Sequence, residues 1–265
     1  MRLNPTTPTA ARTATPPRSA DSALDEGLLH FHAPEPDHAL AVHWFSLAAE
    51  AGSAEGLAHL GWCQLEGLAL PREPLQARER LEQAAAAGSV TGQFQLGRML
   101  VGGWGGTPDA ARGVALYTAA AAQGHADATF NLACCLESGW GCQPDRLAAK
   151  ALFLRARTLG SPLKAPGLRI RQRELDAVRD LARRLAQPGL LPEVLADRQA
   201  EVARAQDLAR SPTRRAMRSH QQRARWRRLA SLAALAGGLA ALLAGLFGWR
   251  NQQHLAHDAG PTSTA

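Results

Sequence analysis

Apolar and small residues return along the first 160 positions at a fixed interval of 36. Leu24, Leu60, Leu96 and Leu132 share one column, and Phe45, Leu81, Tyr117 and Phe153 share another. Three residues after the second column come Ala48, Ala84, Ala120 and Ala156. Gly52, Gly88, Gly124 and Gly160 keep the same interval, as do Gly67, Gly103 and Gly139 and the set Ala41, Ala77, Gly113 and Ala149. An acidic column holds Asp37, Glu73, Asp109 and Asp145. Several columns in ungapped register mean a repeat array. Its units are 17–52, 53–88, 89–124 and 125–160, the first of them degenerate.

Within a unit, Ala54 to Glu66 and Leu75 to Ala87 carry apolar residues at helical spacing, which predicts two antiparallel helices. The Gly67 column falls where a first helix ends and a left-handed residue is easiest for Gly. Pro36, Pro108 and Pro144 each precede the acid that opens a second helix, where the helix dipole favours negative charge. Gly61 and Gly97, with Ala133 in the same slot, sit mid-helix despite a propensity cost of up to about 1 kcal/mol. That predicts close approach of a neighbouring helix carrying Phe45, Tyr117 or Phe153.

Stacked helical pairs leave a groove along the first helices, with the second helices on the convex side. Leu60, Gly61 and Gln64, with Leu96, Leu100, Leu132 and Leu136 in matching slots, are then turned inward. The opposite face is expected to be exposed and to present candidate partner-binding residues. These are Glu55, His59 and Trp62 in the second unit, Thr91, Gln95 and Arg98 in the third, and Asp127 and Asn131 in the fourth. The competing reading makes them ordinary solvated positions, with Trp62 packed against the degenerate first unit.

The stretch from Ala122 to Gly160, AQGHADATFNLACCLESGWGCQPDRLAAKALFLRARTLG, resembles a Sel-one-like repeat, a relative of the tetratricopeptide repeat with a period of 36. The resemblance covers about 140 residues and implies an all-α solenoid that binds proteins or peptides and has no catalytic chemistry. The first unit departs from the pattern: Phe31 stands in the Gly slot, with His30, His32 and His38 around the loop. Secreted members of the resembled family pair cysteines eight residues apart in every unit. Here that spacing occurs once, at Cys134 and Cys142, and a reducing compartment is expected to leave them as thiols.

Pro162 and Pro166 stop a fifth repeat. Beyond them, residues 161–210 read as a helical hairpin. Leu175, Val178, Leu181 and Leu185 form one stripe, ended by Pro188-Gly189. Leu191, Val194, Leu195, Val202, Ala205 and Leu208 form the next. The hairpin either caps the open end of the array or pairs with a second copy. Ser211-Pro212 then opens a basic juxtamembrane helix, 211–228.

Residues 229–249, LASLAALAGGLAALLAGLFGW, contain no charge. As a helix they would extend roughly 31 Å, enough to cross a hydrocarbon core of about 30 Å. Trp226 and Trp249 bracket the run at interfacial depth. Gly237, Ala241 and Gly245 form a small-residue ridge through which two copies could associate. A leader of mainly Thr, Pro and Ala with two Arg, 1–16, is expected to be disordered and has no apolar signal core.

The +7 net charge changes meaning once it is located. Arg214, Arg215, Arg218, Arg223, Arg225, Arg227 and Arg228 supply all of it, and residues 1–213 sum to zero. This cluster, with Trp226, reads first as a membrane-surface and orientation determinant, and only second as a nucleic-acid site. The positive-inside rule keeps the repeats cytoplasmic, makes the chain single-pass in the inner membrane, and sends the tail, 250–265, outside. The excess of Ala and Arg points to a GC-rich bacterial genome.

No phosphate-binding Gly loop, GxSxG or HExxH occurs, so neither catalytic residues nor cofactor nor metal is expected. Cys63 and Cys135, in one column with Met99, read as core. His30, His32, His38 and His43 have no carboxylate at ligand spacing. The chain is therefore expected to be a membrane-anchored scaffold that holds a protein or peptide partner, or alternatively a regulatory component of an envelope complex.

Overall fold

A computed structural model describes residues 19–165, 169–187 and 189–210. The leader, the basic stretch 211–228 with its seven Arg and Trp226, the apolar run 229–249 with Gly237, Ala241 and Gly245, and the tail lie outside the described residues. The chain divides into Met1–Val202 and Ala203–Ala265, and the first of these carries the repeats and every site described below.

Among the described residues there is no strand. Four antiparallel helical pairs run in order: α1 (Ala20–Phe31) with α2 (His38–Glu50), α3 (Ala54–Glu66) with α4 (Pro74–Ala86), α5 (Val90–Gly102) with α6 (Ala110–Ala122), and α7 (Ala126–Ser138) with α8 (Arg146–Thr158). A 3-10 turn, Gln172–Glu174, leads into α9 (Leu175–Leu185) and α10 (Leu191–Arg210). No helix among the described residues is long and apolar enough to cross a membrane.

The connections repeat because the same residues terminate the same helices. Gly67, Gly103 and Gly139 adopt φ of 79°, 70° and 79° and donate to the carbonyls of Cys63, Met99 and Cys135. Only a residue without a Cβ takes this conformation freely. Asp37, Asp109 and Asp145 then cap the second helices through Leu40, Arg112 and Leu147/Ala148 N–H. Glu73 does not cap α4; its carboxylate instead accepts from Gln64 Nε2 at 3.0 Å. At the other end, Ser53, Ser89 and His125 donate their backbone N–H back to Ala48, Ala84 and Ala120, while their side chains cap α3, α5 and α7. One residue thus closes a repeat and opens the next.

The first repeat lacks the Gly turn. Phe31 stays in α1, His32 caps it at φ −101°, and Asp37 N–H turns to His30 O instead of the residue matching Gln64. A β-carbon at the Gly slot disfavours the left-handed exit by about 1–2 kcal/mol, and here the chain leaves the helix by another route.

The core follows the columns. Phe45, Leu81, Tyr117 and Phe153 are all buried, as are Ala48, Ala84, Ala120 and Ala156. A Cβ on Gly97 would stand 2.8 Å from the Tyr117 ring, so the mid-helix glycine is set by the approach of α6. The stripes of α9 and α10 enter the same core as the last repeats, with Val178, Leu181, Leu185, Leu191, Val194 and Leu195 buried beside Leu136, Leu152 and Phe153. Arg198 on α10 binds Asp145 Oδ2 through Nη2 and Nε at 2.9 and 3.1 Å, and the backbone of Gln143 exchanges two hydrogen bonds with the Gln199 amide.

Candidate partner-binding groove

The first helices place Glu55, His59, Trp62, Thr91, Gln95 and Asp127 along one groove of about 410 Å³, joined by Leu24, Leu28, His32, Phe94 and His125. Arg98 and Asn131 do not join them. They line a separate hollow of about 320 Å³ together with Trp104, Tyr117, Cys134 and Trp140. The expected single row is therefore two surfaces.

None of the eight candidates is fully exposed, and two are buried. His59 and Gln95 are only 6% and 2% accessible. His59 stacks on Phe45 at 4.6 Å, and Gln95 accepts from Arg98 Nη1 at 2.8 Å. Spacing along one helix measures its own faces but not the neighbouring helix: α2 covers this part of α3, and α3 packs directly on α5. His59 Nδ1 is buried with no hydrogen-bond partner, and burial depresses its pKa to about 4.

Trp62 is half-buried and lies 4.9 Å from the Phe31 ring and 5.9 Å from His59. It is thus packed against the first repeat while one part borders the groove. The acidic residues are also occupied. Glu55 accepts the Val90 N–H at 2.7 Å, and Asp127 accepts the Ser161 hydroxyl at 2.7 Å. Thr91 is the half-buried candidate whose side chain borders the groove without any of these ties.

Three features escaped the reading of the sequence. Phe94 stacks on His125 at 4.4 Å on the groove wall, and His32 closes one end. Trp104 and Trp140, one repeat apart and each just after the Gly turn, are 42% and 57% exposed. Arg98 lies 5.4 Å over the Trp104 ring, and Tyr117 and Asn131 line the same hollow. The 36-residue spacing of the two tryptophans was the available signal.

The cysteines are all free. Burial raises the pKa of Cys63 to about 11 and of Cys135 to about 12, and raises those of Cys134 and Cys142 in the same direction. Such thiols are poor nucleophiles at neutral pH. Among the described residues, no group of three or more His, Cys, Asp and Glu side chains could hold a metal ion.

The Sel1 repeat model matches residues 24–53, 54–89, 90–125 and 126–161, just over half of the chain. The chain belongs to the Sel1 repeat family. Its first repeat is matched from Leu24 onward despite the altered loop. Among solved structures it is similar to c5321, described as a protective antigen of uropathogenic Escherichia coli strains with an SLR fold, at 22% identity and a TM-score of 0.46. That match covers 63% of this chain and 39% of that one. It is also similar to a Sel1 repeat protein from Oxalobacter formigenes, at 24% identity and a TM-score of 0.46, over 54% of this chain and 59% of that one. The chain thus spans less than two thirds of either. No curated protein matches it. Sel1 repeat proteins generally mediate protein–protein interaction, and the family is of a non-catalytic scaffold type.

Proposed function

We propose that this Sel1 protein is an adaptor whose first-helix groove holds a segment of a partner protein at a membrane surface. The groove carries the reading: it is concave, crosses α1, α3, α5 and α7, and has a buried, unpartnered His59 Nδ1 in its floor. A buried polar atom without a partner is costly, and an incoming backbone or side-chain group would satisfy it. Aromatic walls from Phe94, His125 and Trp62 supply the apolar contact that peptide anchors use. Thr91→Arg fills the groove without touching the core. Loss of partner capture by this variant, at unchanged melting temperature, supports the reading, and undiminished capture contradicts it.

The apolar run 229–249 and the Arg cluster before it support anchoring of the solenoid on the cytoplasmic side of an inner membrane. A tether of this kind raises the local concentration of whatever the groove holds. Ala240→Arg with Leu243→Arg should move the protein from the membrane pellet to the soluble fraction, since each central Arg opposes insertion by about 2.5–3.5 kcal/mol. Retention in the pellet would contradict the anchor.

A further inference from the structure

The last second helix breaks the repeat at two positions. The column holding Leu47, Gln83 and Ala119 ends in Arg155, and the all-alanine column Ala49, Ala85 and Ala121 ends in Arg157. An end repeat needs polar groups on its outer face, but Arg155 is not on that face. It is 9% exposed, beneath the cleft where α9 lies against α8. The cleft measures about 690 Å³ and also receives Arg179 and Arg183 between apolar walls that include Leu154 and Ala182. That size lies within the roughly 300–1,000 Å³ of small-molecule sites.

Among the described residues no carboxylate lines this cleft. Arg155 Nη1 is buried with no acceptor, and Nη2 reaches only the Ala121 carbonyl, at 3.4 Å. Burial pushes the Arg155 pKa down, as expected for a guanidinium short of a counter-anion. Arg183 is paired on the surface with Asp180 at 3.3 Å, while Arg157 and Arg179 have no carboxylate partner among the described residues. A buried, unpaired charge is among the least favourable arrangements in a folded chain unless something outside the chain supplies its partner.

We propose that the α8–α9 cleft binds a phosphate monoester, with Arg155 as its buried anchor and Arg157, Arg179 and Arg183 around the rim. Guanidinium forks match phosphate oxygens in pairs, and a charge of about −1.5 to −2 suits several of them better than a single carboxylate would. The apolar walls favour a phosphate carried on a hydrocarbon body. This surface is distinct from the groove and does not depend on what the groove holds.

Calorimetric titration of the full chain in a non-ionic detergent tests this, with dihexanoyl phosphatidate and inorganic phosphate as probes. Saturable binding is expected, weakened at least tenfold by Arg155→Met and by Arg179→Gln with Arg183→Gln. A tenfold preference for phosphatidate identifies a phosphorylated amphiphile as the ligand, and equal affinity identifies free phosphate; either result supports the site. Arg155→Met should also keep or raise the melting temperature without ligand, because it removes an uncompensated charge. The rim pair is exposed, so it reports on binding even if the buried variant folds poorly. Absence of saturable binding, or binding unaltered in the rim pair, overturns the proposal.

Discussion

The Glu55 carboxylate of the second repeat accepts the Val90 N–H that opens α5 in the third, at 2.7 Å. A side chain in the first turn of α3 thus satisfies a backbone group that the first helix of the next repeat leaves without an internal partner. Its distance to Thr91 N–H, 3.4 Å, places it over the same helix end. Negative charge at a helix N-terminus is favourable in itself. Glu55→Ala should therefore lower stability by about 1 kcal/mol, measured as a shift of the urea midpoint at constant slope. An unchanged midpoint would make Glu55 a groove residue with no structural role.

Gly97→Ala tests the close approach of α5 and α6. Helix propensity alone favours the change by about 1 kcal/mol. The added methyl, however, meets Tyr117 at 2.8 Å and the Gly113 carbonyl at 3.3 Å, so overpacking of about 1–3 kcal/mol should prevail. The matching slot one repeat earlier, Gly61, is equally tight against Leu81 at 2.8 Å, whereas one repeat on it holds Ala133. Thermal unfolding that moves upward instead would show that the α5–α6 distance is not fixed.

Asp145 uses both oxygens: Oδ1 caps α8 and Oδ2 pairs with Arg198 on α10. The carboxylate is buried. Removing Arg198 leaves that buried charge without its partner, a loss of up to about 3–5 kcal/mol. Arg198→Ala should accelerate hydrogen exchange in α9 and the first turns of α10 while the first two repeats keep their protection. Uniform loss of protection along the array would contradict a local role for this pair.

The pH dependence follows from His59. Its pKa in the folded chain, about 4, lies below the ordinary 6.5 because burial disfavours the imidazolium. Between these values the unfolded chain binds more protons, so stability rises with pH. The contribution is complete above pH 6.5 and is lost as pH falls toward 4, by up to about 3 kcal/mol. His125 is shifted in the same direction, again through burial. His59→Gln, which installs the residue found at Gln95 in the matching slot, should flatten the curve of melting temperature against pH over this interval. An equally steep curve in the variant would assign the effect to other groups.

The helices and their ends were legible because each rests on one residue type at one place. Gly67, Gly103 and Gly139 exit left-handed, and Asp37, Asp109 and Asp145 cap, whatever surrounds them. The altered first loop was legible for the same reason, since Phe31 takes that left-handed turn far less readily than Gly. The groove was legible only in part. The i, i+4, i+7 face of α3 does include Glu55, His59 and Trp62, but neighbouring helices cover His59 and leave Trp62 half-buried against Phe31. The bond from Glu55 to Val90 joins residues 35 apart, and only the stacking angle between repeats brings them together. Arg155 was visible as a departure from its column, yet its burial depends on α9, whose position no periodicity specifies.

The adaptor reading is tested most directly by photo-crosslinking from two positions of the full chain. A photoreactive residue at Thr91 lies in the groove, and one at Gln83 lies on the exposed side of the second helix α4. The account predicts a partner adduct from position 91 that is absent from position 83. An adduct from position 83 with none from position 91 would place the binding surface on the second helices and contradict it.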